Sequence, residues 1–316
     1  MNTKFFVALL TSLVLGLSFQ SCSLFQDQPG DNSNTLTVGG VGFNIVPVTG
    51  GYTFPTGVDN SGSATVAVTY DIATTETTYA LWYAVYSWAT TDAGNGFRAD
   101  GGPLYTFANP GKEGSTGTIG AAATTNAQPV TTINWRDAIV WTNALTEYYN
   151  ATNSTTYGCV YNAGGTPIRS SQDTNQMNTD SVTPDTSAKG FRLLTSDEWE
   201  EAARYQDGTT WTSGSYASGA AGAYTDEAST ELVAWFVTDS LGTSNAVGTK
   251  TANTLGTYDM SGNVWEFCFD LIGALRVVRG GGWDTSASML QVGEVSSVQP
   301  NFTGANQGFR IGKTAD

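Results

Sequence analysis

Between residues 284 and 306 the chain loses all hydrophobic period, so whatever fold it adopts must carry a long irregular stretch on something rigid. The stretch is built of Ser, Thr, Gly, Asn, Gln and Asp with isolated Met289, Leu290, Val292, Val295, Val298 and Phe302. That pattern fits neither the repeat of a helix nor the alternation of a strand. Its two ends are different in kind. Val277 and Val278 lead through Arg279 and three glycines to Trp283, while Gly308, Phe309, Arg310 and Ile311 read as a short strand. A loop of such length inside a domain is either functional or disordered. Short, aromatic-anchored flanks favour an ordered binding surface clamped by a frame; a plain surface excursion between two strands is the alternative. Arg279 and Arg310 are expected to point inward, because a guanidinium can donate a fork of hydrogen bonds to the carbonyls of irregular segments and the chain has only 13 lysines and arginines.

Upstream stretches supply candidates for that frame. Residues 35–48 and 64–70 alternate and read as strands bounded by glycine-rich turns. Thr77 or Thr78 caps a helix whose Leu81, Trp82, Val85, Trp88 and Ala89 fall at helical spacing, a stripe read as core rather than as a sugar platform. Asn134 caps a second helix, with Asp137 in the first turn where the helix dipole favours an anion and Trp135, Ala138, Ile139, Leu145 and Tyr149 facing inward. Thr195, Ser196, Asp197 and Glu198 make a capping box that opens a third helix through Tyr205, with Trp199, Ala202 and Ala203 inward. Residues 94–128, poor in apolar side chains, are expected to be irregular.

Lys4, the apolar run over residues 5–17 and a small residue before Cys22 make a secretory leader. The run is too short to span a bilayer as a mature helix. Ser21-Cys22 resembles a bacterial lipobox, although Phe19 and Gln20 depart from its usual spelling; the resemblance implies cleavage before Cys22 and lipidation of its thiol. An ordinary leader with an incidental cysteine is the alternative. The expected organisation is a leader over 1–21, a lipid-anchored flexible tether over 22–37 and one domain over 38–316. Loss of Lys4 takes the formal net charge from −15 to −16. Such a surface repels phosphate backbones and anionic headgroups, which argues against nucleic acid and leaves the lipid as the membrane attachment.

Function can be narrowed by subtraction. The chain contains no histidine, which removes imidazole acid-base work, Ser-His-Asp and Cys-His catalysis, and histidine-ligated metals. There is no CxxC, no phosphate-cradling glycine loop and no basic cluster. Cys159 and Cys268 are either bridged, which adds roughly 4–5 kcal/mol in the chain-entropy picture, or two buried thiols.

Four blocks in order, GFRLLTSDEWEEAARY (190–205), LGTYDMSGNVWEFCFD (255–270), RGGGW (279–283) and GFR (308–310), resemble the formylglycine-generating-enzyme, or sulfatase-modifying-factor, domain. FNIVPVTGGYTFPTG (43–57) and PVTTINWRDAIVWTNALTE (129–147) are similar to its opening hairpin and first long helix. The resemblance covers roughly residues 38–312 and implies an α+β, C-type-lectin-like fold with much irregular structure. The family's oxidases hold a copper-binding cysteine pair whose positions fall here at Thr285 and Leu290, neither of which can ligate Cu(I). Without histidine the chain also departs from the family's iron-dependent branch.

What remains is the branch of variable proteins made by diversity-generating retroelements, and the lipobox points to its lipid-anchored treponemal members. That resemblance implies a non-catalytic surface lipoprotein of a bacterial outer membrane, expected to be monomeric, whose segment 276–312 is diversified to bind an unknown protein or a host or cell-surface ligand. Trp283, Pro300, Gly308, Phe309 and Arg310 are then scaffold. The ligand-contacting positions are Asp284, Thr285, Ser286, Ser288, Met289, Gln291, Glu294, Ser296, Ser297, Val298, Gln299, Asn301, Phe302, Gly304, Ala305 and Asn306. An oxidase relative, or a non-variable structural lipoprotein or lectin, are the alternatives. Asp259, Gly262, Val264 and Glu266 resemble a calcium site of the family, the outer two giving side-chain oxygens and the middle two carbonyls; alternatively Glu266 pairs with an arginine and Asp259 holds the turn. No other cofactor is expected.

Overall fold

The computed structural model describes residues 33–91 and 105–316, so the leader and Cys22 lie outside the described residues, as does part of the stretch 94–128. Residues 32–316 form one compact unit. Strands β1 (Asn34–Val38) and β2 (Val41–Val48) make a hairpin over Gly39 and Gly40, both at positive φ, which glycine adopts without strain. Asn34 pairs with Ile45, so the folded unit reaches back into residues expected to be tether. A small hairpin of β3 (Thr53–Thr56) and β4 (Gly62–Thr65) precedes β5 (Tyr70–Ala73). The single strand expected over 64–70 is broken. Gly50 lies so close to Val68 that a Cβ would sit 2.3 Å from its carbonyl carbon, and the Gly51 N–H donates to the Val66 carbonyl, so the chain bends there.

Helix α1 (Tyr79–Thr90) starts at Thr78, whose hydroxyl accepts from the Leu81 N–H, and it buries the expected stripe. After the short pair β6 (Lys112–Glu113) and β7 (Val130–Thr131), α2 (Trp135–Asn153) opens on a reciprocal cap between Asn134 and Asp137. Asp137 does more than complement the dipole. Its carboxylate also accepts from the Ser171 hydroxyl, the Asn109 amide and the Ala108 N–H, tying two loops to the helix start. Then come β8 (Asn162–Ala163), β9 (Thr166–Pro167), α3 (Gln176–Asp180), β10 (Phe191–Leu193) and α4 (Ser196–Arg204), the last capped by Thr195 and Glu198 as expected. Helix α5 (Glu227–Glu231) leads to β11 (Trp265–Ile272), β12 (Leu275–Arg279), β13 (Ser296–Val298), β14 (Gln307–Gly308) and β15 (Ile311–Thr314).

Two sheets organise these elements. One runs β1-β2-β5-β15-β10 and is antiparallel throughout, so the last strand of the chain is inserted between β5 and β10. The other runs β13-β12-β11-β14, antiparallel except where β14 joins β11. Residues 276–312 therefore contribute strands to both sheets. The larger core has Trp82 stacked on Trp141 at 5.5 Å, with Phe309 edge-on to both. A second core gathers Val46, Tyr70, Trp199, Cys268, Val277 and Val292. Neither Cys159 nor Cys268 is in a disulfide, and both are buried.

Candidate ligand-binding surface

The middle of the stretch 284–306 is ordered by the body of the protein. The stretch holds one 3-10 turn (Ala287–Met289) and one three-residue strand, β13, that pairs with β12. Its middle dives inward. The N–H groups of Val292 and Gly293 donate to the carbonyls of Tyr216 and Gly214, and Leu290 and Val292 are fully buried. Gly293 packs on Gly57 with no room for a Cβ, which would lie 2.3 Å from Gly57 backbone.

The outer portions converge instead. The Trp283 indole N–H donates to the Ala305 carbonyl at 3.2 Å, and the Asn306 amide donates to Asp284 at 3.0 Å. Together these join residues 283–286 to residues 301–306. Asp284, Ser286, Gln299, Asn301 and Phe302 are exposed, and Thr285, Ser288, Met289, Glu294, Gly304, Ala305 and Asn306 half-buried. Ser296, Ser297 and Val298 are half-buried on the edge strand β13. Gln291 does not belong with them: it is 9% exposed and its amide donates to the Ser288 carbonyl. Trp283 departs from expectation in the other direction. It is only half-buried, so it is part of the surface as well as of the frame.

Beneath lie two knots of buried charge. Arg279, 3% exposed, pairs with Glu200 at 2.7 Å and donates to the Glu294 carbonyl, which fixes the far side of the irregular stretch to α4. Glu200 also holds Arg204, whose guanidinium donates to the Gly57 carbonyl. Arg310, 1% exposed, pairs with Glu266 at 2.7 Å and donates to the carbonyls of Ala73 and Tyr258. Both arginines thus act inward on irregular backbone, as read from their scarcity.

Residues 44–315 match the sulfatase-modifying factor enzyme 1-like domain. The chain belongs to that family. It is similar to Treponema denticola variable protein 1 at 29% identity and a TM-score of 0.67, over 90% of this chain and 99% of that one. It is also similar in fold to CarF, at 24% identity and a TM-score of 0.65, over 86% of this chain and 98% of that one. A chaperone protein LppX from Paenibacillus barcinonensis is 28% identical over 215 residues, 58% of this chain and 69% of the relative. The fold is accordingly the α+β, C-type-lectin-like fold of formylglycine-generating-enzyme domains.

Two sets of residues in this sulfatase-modifying-factor domain correspond to metal sites of the family. Where the oxidases hold their thiolates, the Thr285 hydroxyl is engaged with the Gly282 carbonyl and Leu290 is buried in a small apolar cluster. The alternative given for Glu266, pairing with an arginine, is what the structure shows. Glu266 accepts from Arg310 and from the Trp199 indole, so both of its oxygens already have donors. Asp259 accepts from the Gly248 N–H with one oxygen, and its other oxygen is buried without a partner. With the carbonyls of Gly262 and Val264, that free Asp259 oxygen is what remains of the expected oxygen set, fewer than the 6–8 that calcium takes. Burial instead pushes the Asp259 carboxyl up to about 6, and raises Glu76 well above the usual carboxylate range where it accepts from Asn263 and the Val264 N–H.

Sequence reasoning missed the buried Glu76 and Glu201. Nothing in their spacing marks them, since each is brought inside by contacts far away in the chain.

Proposed function

We propose that this sulfatase-modifying-factor domain is a ligand-binding module without catalytic activity, lipid-anchored through Cys22, displayed at a bacterial cell surface and diversified within residues 276–312. The observation that carries the reading is the separation just described. Exposed side chains between 284 and 306 sit over a frame whose ion pairs, Arg279–Glu200 and Arg310–Glu266, involve none of them. A site that must accept changing residues needs such a frame. The likeness to Treponema denticola variable protein 1 supports the same reading, and the absence of thiolates at Thr285 and Leu290 argues against the oxidase alternative.

Deep sequencing of the C-terminal coding segment in a growing population is the test. Substitutions concentrated at Asp284, Ser286, Asn301, Phe302 and their exposed neighbours, and absent from Phe309 and Arg310, are expected; a segment as invariant as the rest of the gene would defeat diversification. Detergent partitioning that survives Cys22→Ala would defeat the anchor.

A further inference from the structure

The face that carries Trp283 and Asp284 continues beyond the segment. A loop from another part of the chain is pinned to it twice: the Val237 N–H donates to the Thr285 carbonyl at 3.0 Å, and the Ser240 hydroxyl donates to the Trp283 carbonyl at 2.8 Å. On that loop Val237 is 58% exposed and Leu241 is 93% exposed. Leu241 is held at φ 58°, a left-handed conformation that costs an aliphatic residue energy and that Gly242 beside it would adopt freely. Within the segment Phe302, 44% exposed, lies against Gly304, and Asn306 two residues on reaches Asp284. Large exposed apolar side chains thus stand on two segments that are hydrogen-bonded to residues 283–285, one of them outside residues 276–312.

The exposed charge of the described surface, of which Asp284 is the part on this face, has one sign. Every described lysine and arginine is buried or half-buried, whereas Asp59, Asp185, Asp207, Asp226, Glu227 and Asp284 are exposed. Lys250, which packs on the Trp235 ring below the loop, is taken by Asp239 and the Glu231 carbonyl. Asp284 is met by the neutral Asn306 amide.

We infer that Val237 and Leu241 form a fixed apolar ledge of the ligand-binding surface, and that this surface takes a protein presenting an aliphatic or aromatic side chain flanked by lysine or arginine. The inference rests on the ligand-binding reading above. Burial of an apolar anchor supplies affinity, and an anionic field speeds encounter and selects basic surfaces. A ledge outside the segment preserves one contact whatever residues the segment holds. The same field disfavours nucleic acids and anionic membranes as occupants.

The experiment pans a phage-displayed random peptide library on the purified full-length protein, then measures the Kd of resynthesised binders for the wild type and for variants. Binders are expected to carry Lys or Arg beside an apolar residue and to weaken steeply between about 0.05 and 0.3 M salt, where screening of exposed charge grows. Leu241→Ser and Val237→Ser should each raise Kd about tenfold, the size of a single anchor contact, with an unchanged melting temperature because both side chains are exposed. Acidic or uncharged binders would overturn the inference. So would binders that ignore both ledge variants yet are lost with Ser286→Tyr and Asn301→Tyr, a result that keeps the ligand-binding reading. Binders indifferent to both sets would overturn the two together.

Discussion

Phe309 and Trp283 stand at the two ends of the same irregular stretch, and they are held in opposite ways. Phe309 is fully buried and edge-on to the stacked pair Trp82 and Trp141, in the larger core. Trp283 is half-buried, and its most specific contact is an indole hydrogen bond to the Ala305 carbonyl inside the stretch itself. One end belongs to the body; the other belongs to the rim. The asymmetry teaches that a sheet strand such as β15 can return the chain to the core while the glycine-rich start, Gly280 and Gly281 at φ 92° and 78°, lets the backbone turn outward on conformations other residues reach only with strain.

The largest loss is expected where charge is buried beneath both ends. Glu266→Ala leaves Arg310, 1% exposed, without its carboxylate, and breaking one partner of such a pair costs about 3–5 kcal/mol. Chemical denaturation of the variant measures it. A loss under about 1 kcal/mol would mean that the knot is not what holds β14 and β15 in place.

Phe309→Ala and Trp283→Ala sharpen the comparison directly. Truncating a fully buried aromatic costs about 3–5 kcal/mol, whereas Trp283 forfeits part of its burial and one hydrogen bond, together about 1–2 kcal/mol. Equal drops in melting temperature would erase the distinction between body and rim.

Much of the body was legible because its signals are local. The caps at Thr78, Asn134 and Thr195 and the stripes they open depend on residues three or four apart, and each helix starts where those residues place it. The rim was legible only in outline. Absence of period marked residues 284–306 as irregular, but it could not separate Gln291, which turns inward beside Leu290 and Val292, from Asn301, which does not. That division is made by Tyr216 and Gly214, far away in sequence, whose carbonyls receive the N–H groups of Val292 and Gly293. Likewise Glu266 could be read either as a ligand or as the partner of an arginine, and the arginine that it meets, Arg310, lies 44 residues away.

A smaller and pH-dependent effect is expected in the second core. Glu201 is fully buried on α4 with neither carboxylate oxygen bonded, because the nearby Tyr70 hydroxyl donates to the Glu198 carbonyl. Burial pushes its carboxyl from 4.5 to about 7, with help from the Glu198 charge. The folded state therefore keeps a proton that the unfolded chain has already released. Its stability falls as pH rises from about 4.5 to about 7 and levels off above. Glu201→Gln should leave stability nearly unchanged at pH 4 and raise it by roughly 1–3 kcal/mol at pH 8. Melting curves across that range check it, with a residual decline left by Asp259 and Glu76.

The smallest effects belong to the rim, and they matter most for the comparison. Ser286, Asn301 and Phe302 are exposed, and Ser286, although it precedes the 3-10 turn, makes no capping hydrogen bond with its side chain; single polar replacements at such positions usually shift stability by no more than about 0.5 kcal/mol. Gln291→Ala is the internal control. Its side chain is covered and bonded to the Ser288 carbonyl, so its loss should reach about 1 kcal/mol although it lies in the same stretch. A melting series over these four positions then asks whether tolerance follows exposure or follows sequence. If Ser286, Asn301 and Phe302 each cost as much as Gln291, the stretch is structural throughout, and a fold that depends on it cannot offer it for variation.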